Sequence, residues 1–125
     1  MTGCSSRRAI TADDVQSQLT LAISTASESE LFIDRLREHR ATSRFAHAHA
    51  LYLANALKQS LEDLSRPTLD QRTQSLAEQC WAQLLQLDRE LSLISSSAND
   101  AAALAAAKAR IAKIHADLQR LEFSP

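Results

Sequence analysis

A chain of 125 residues is the size of one domain, and 45% apolar against 23% charged residues is a composition that buries a core rather than staying disordered. One glycine and two prolines leave little from which to build tight hairpin turns, so strands are not expected. The 14 basic and 15 acidic residues balance to a net charge of −1, which argues against a nucleic-acid binder, since phosphate neutralisation supplies most of such a protein's affinity.

Residues 1–10 read as a flexible N-terminal tether ahead of a helical domain over 11–125. The first helix opens at Thr11, whose hydroxyl can cap free backbone amides, with Asp13 and Asp14 placed to suit the positive end of the helix dipole. Its apolar positions are Val15, Leu19, Ile23 and Ala26, then Phe32, Ile33 and Leu36. The register drifts through Ser24–Glu30, where the capping-box spacing of Ser27 and Glu30 marks a place for a break. A second helix starts at Thr42 or Ser43 and runs to about Leu64, with a buried stripe of Ala46, Ala50, Leu53, Leu57, Leu61 and Leu64. Pro67 ends it.

Thr68 and Gln71 have capping-box spacing for a third helix, whose stripe is Thr73, Leu76, Cys80, Leu84, Leu87, Leu91 and Ile94. Ser95–Asn99 reads as a loop. Beyond it, Leu104, Ala107, Ile111, Ile114, Leu118 and Leu121 alternate steps of three and four, a heptad-type seam. Four helices of about 22–30 residues, about 33–45 Å long, joined by short links, predict an all-α, up-down-up-down four-helix bundle. The weaker pattern of the first helix leaves an alternative: a three-helix coiled-coil core with that helix loosely packed and available to a partner.

Bundles of this kind often hold di-metal centres built on Glu-x-x-His pairs, yet none of the seven glutamates has a histidine three residues on. His47 and His49 point about 200° apart around a helix and cannot share a metal. They and His39 and His115 are read as surface groups, with His47 or His49 at a helix interface. Glu30, Asp34 and Glu38 share one helical face, offset by Arg35, Arg37 and Arg40, and are expected to be solvated. So is the basic flank of Lys108, Arg110, Lys113 and Arg120. Phe45 and Tyr52 are expected in the core, and Cys80, beside Trp81, as a small buried hydrophobe. Phosphate-cradling loops need glycines, and there are none after Gly3; nor is there a Gly-x-Ser-x-Gly elbow. No catalytic residue, metal ligand or cofactor site is therefore assigned.

One local motif bears on cellular role. Met1-Thr2-Gly3-Cys4, followed by Ser5-Ser6, resembles the cleavage end of a bacterial lipoprotein signal peptide. The resemblance covers these six residues alone. It implies that Cys4 becomes the mature N-terminus and carries acyl chains, that a leader is encoded upstream of Met1, and that Ser5 after the cysteine directs the protein to the outer membrane. Ser5-Ser6-Arg7-Arg8-Ala9 is then a polar tether. The function expected is a non-catalytic interaction or scaffold module, lipid-anchored in the cell envelope and facing the periplasm, with a protein partner and an oligomer as compatible outcomes. If Met1 is the true start, the chain is expected to be a cytoplasmic helical adaptor or secretion-type chaperone. A metal-binding bundle or enzyme is the remote third reading.

Overall fold

The computed structural model describes residues 8–38 and 42–122. Within them lie four helices: α1 (Ala12–Arg37), α2 (Ser43–Leu64), α3 (Gln71–Ser97) and α4 (Ala101–Glu122), with no strand among the described residues. Interhelical pairs show that neighbours run antiparallel. Along α1 and α2, Gln18 meets Asp63 and Phe32 meets His49. Along α1 and α4, Glu30 meets His115 and Asp34 meets Lys108. The helices close a ring in the order α1, α2, α3, α4, and α1 lies most extensively along α4. This is the up-down-up-down bundle, not a three-helix core with a loose appendage, since α1 buries nine residues of its own.

Each helix starts where a side-chain oxygen can accept from an otherwise unpaired backbone N–H. Thr11 forms the reciprocal capping box of α1: its hydroxyl accepts from the Asp14 N–H at 3.1 Å, and the Asp14 carboxylate accepts from the Thr11 N–H at 2.9 Å. Thr42 caps α2 through the Phe45 N–H, and Asp100 accepts from the Ala103 N–H at the start of α4. The third helix differs from the expected capping box of Thr68 and Gln71. Asp70 is its N-cap, accepting from the Thr73 N–H at 2.8 Å, and Thr68 instead donates to the Gln74 side chain. The serines expected as a loop also prolong α3 to Ser97, leaving only Ala98–Asp100 as the turn.

The core follows a stricter pattern than the apolar residues suggest. In α1 the buried positions Val15, Leu19, Ala22, Ala26, Ser29, Ile33 and Leu36 step by four and three without interruption, so no break occurs near Ser27. Ser29 donates to the Thr25 carbonyl at 2.7 Å and Thr25 to that of Leu21 at 2.9 Å, which lets both hydroxyls be buried with their hydrogen bonds made. In α2 the seam takes Ser60 rather than Leu61, and in α3 it takes Ala77 rather than Leu76. Ile23, Leu61, Leu76 and Leu121 sit beside the seam, half-buried against it.

One further residue joins this core from outside the helices. Ile10, expected in the flexible tether, is 1% exposed, and its N–H donates to the Pro67 carbonyl at 2.8 Å in an isolated bridge to the α2–α3 turn. An isoleucine placed on the capped start of α1 gains more from burial than a free tether would from its mobility.

Candidate functional site

Cys4, the lipidation candidate, lies outside the described residues, as does His39. The structure does show where the chain leading from Cys4 meets the bundle. Ile10 fixes that point at the turn between α2 and α3, so Ile10, this turn and the end of α4 share one end of the bundle. Pro67 stops α2 and Asp70 starts α3, and between them Leu69 has nothing to pack on: it is 82% exposed. Arg66 flanks it, its side chain donating to the Asp63 carbonyl, and exposed Arg8 lies just before Ile10. Two of the acids at this end, Asp14 and Asp70, are engaged in capping. The Thr11 N–H, with the Thr11 hydroxyl behind it, holds the Asp14 carboxyl below the usual carboxylate range. The Thr73 N–H and hydroxyl do the same for Asp70. Leu69 carries no periodic signal, so nothing in the pattern of the chain marks it.

A second feature lies on the seam between α1 and α2. Phe45 and Tyr52 are not core residues: they are exposed and stand on the outer face of α2, one helical turn on either side of His49. The three rings stack, Phe45 on His49 with centroids 5.5 Å apart and His49 on Tyr52 at 5.8 Å. Beneath them the buried Phe32 tilts against His49 at 4.7 Å, and Glu28 reaches to 4.0 Å from its Nε2. His49 is thus the interface histidine and His47 the exposed one. The spacing 45, 49, 52 is a helical stripe visible in the chain. It lies off the buried heptad Ala46, Ala50 and Leu53, which is why the rings face outward.

Parts of the charged clusters pair between helices, while Lys113 and Arg120 remain largely exposed. Lys108 bonds Asp34 at 2.6 Å and His115 Nδ1 lies 2.7 Å from Glu30, so part of the acidic stripe of α1 meets part of the basic flank of α4. Arg110 donates to Glu90 of α3 at 2.8 Å, which raises its already high pKa, while Lys113 and Arg120 both engage Asp117. A cleft of about 370 Å³ between α3 and α4 runs over these pairs, lined by Gln83, Glu90, Arg110, Lys113 and Asp117. Arg110 and Lys113 are paired with carboxylates there, and Arg89 also lines the cleft. Cys80 is buried as expected, and burial pushes its thiol up to about 12. Among the described residues no three His, Cys, Asp or Glu side chains come together as metal ligands, and no helix is long and apolar enough to cross a membrane.

Comparison with protein-family models, curated proteins and solved structures finds no match to this chain.

Proposed function

We propose that this chain is a non-catalytic helical interaction module held at the bacterial cell envelope by acyl chains on Cys4, with the bundle displayed on the periplasmic side. The observation that supports the reading best is the fixed exit of the N-terminal segment. Ile10 is buried against the α2–α3 turn, so a tether beginning at Cys4 leaves a folded bundle from one defined end. Stable anchoring needs more than one acyl chain, as bacterial lipoproteins carry. The module's binding surface is the exposed part of the α1–α2 seam, where Phe45 and Tyr52 show rigid rings to solvent. Exposed aromatic side chains of this kind are what protein interfaces enrich. The catalytic reading is disfavoured by the deeply raised Cys80 thiol and by carboxylates already spent on caps and interhelical pairs.

The test is fractionation of the native host. The protein should sediment with membranes, and Cys4→Ser should release it to the soluble fraction. Soluble protein in both cases would instead support a cytoplasmic adaptor, the second reading.

A further inference from the structure

Three surfaces stand out: the cleft between α3 and α4, the aromatic seam on α1 and α2, and the end of the bundle from which the tether leaves. The first is lined by two ion pairs and Arg89, and nothing in it names a ligand. The second has no feature that names its occupant. The third does, because the chain outside the described residues leads to it.

We infer that the α2–α3 turn is a membrane-docking surface, with Leu69 as the side chain that enters the lipid. The inference rests on the lipid-anchor reading of Cys4. Six residue steps separate Cys4 from Ile10, which reach no more than about 20 Å when fully extended. A lipid on Cys4 therefore holds the turn at Pro67–Asp70 close to the bilayer. At that position the bundle presents Leu69, the most exposed large apolar side chain among the described residues, on a turn whose neighbours are Pro67 and Arg66. An apolar tip beside a guanidinium suits the boundary where acyl chains meet phosphates, with Leu69 below the headgroups and Arg66 and Arg8 at their level. Asp70, in the turn itself, is held against the backbone N–H of α3.

End-on docking also sets the rest of the molecule. Phe45 begins α2, about 30 Å from the turn at 1.5 Å per residue. The aromatic seam then projects away from the membrane, open to a periplasmic partner.

The experiment uses the full acylated protein in vesicles of phosphatidylethanolamine and phosphatidylglycerol carrying a nitroxide on the acyl chain. Three single-site variants take an environment-sensitive fluorophore: Ser65→Cys beside the turn, Ala102→Cys at the far end, and Ala48→Cys on the aromatic face. Cys80 is buried and Cys4 is acylated, so labelling is confined to the new thiol. The label at 65 should lose most of its emission to the nitroxide while those at 102 and 48 keep theirs. Adding Leu69→Glu to the Ser65→Cys variant should restore the emission. Protein that floats with the vesicles but shows no quenching at 65, or is quenched at 48 instead, overturns end-on docking and leaves the anchor intact. Protein that fails to float overturns the anchor itself.

Discussion

Cys80 occupies a seam position of α3 with none of its surface exposed, and burial pushes its thiol up to about 12. The thiolate is the reactive form, so alkylation at pH 8 should reach Cys80 only through unfolding. Peptide mass mapping after iodoacetamide should find this residue unmodified in the folded protein and fully modified in denaturant. Rapid modification without denaturant would contradict its place in the core. Asp14 and Asp70 make a second residue-level case. Both carboxyls are held below their ordinary pKa by backbone N–H donors, so both favour the folded state above the unfolded carboxylate value. That contribution is lost as pH falls through the lowered folded value. Urea melts should therefore show Asp70→Ala less stable than the parent at pH 7, with the gap closing below about pH 4, the unfolded carboxylate range. A gap unchanged at pH 2 would mean that the ionised cap is not what Asp70 contributes.

The existence, order and number of helices were legible from the chain, because long apolar stripes and a proline-stopped turn leave few alternatives. Side-chain assignments slipped at Ala22, Ser29, Ser60 and Ala77. At each, the heptad position is filled by a small residue, and at three of them a larger apolar residue follows or precedes it: Ile23, Leu61 and Leu76. Reading for hydrophobicity favours the larger neighbour, whereas packing favours whichever residue lies on the seam, and a small one lets two helices approach closely. Position 77 against position 76 tests this directly. Ala77→Asp places an unpartnered carboxylate in the core, as do Leu87→Asp and Ile111→Asp, at a cost on the order of 5 kcal/mol, comparable with the stability of a whole domain. These three variants should lose their helical circular dichroism. Leu76→Asp, beside the seam and half-exposed to solvent, should keep it. The reverse ranking at 76 and 77 would mean that the register of α3 is wrong.

Across the whole molecule, the features on which the proposed function rests lie off the buried seams of the helices. Leu69 stands in a turn, the aromatic stripe of α2 lies off the buried face, and Ile10 joins the core from outside any helix. Of these, only the aromatic stripe is visible in the chain, as the spacing 45, 49, 52, and what the fold adds is that Ile10 is fixed to the α2–α3 turn. On the proposed reading, a lipid on Cys4 would bring one end of the bundle to the bilayer and leave the aromatic seam free. The most direct test is the intact mass of the protein purified from its own host. A mass equal to the chain starting at Cys4 plus thioether-linked acyl chains is the expected result. An unmodified mass starting at Met1 or Thr2 would contradict the envelope anchor, and with it the docking of the α2–α3 turn.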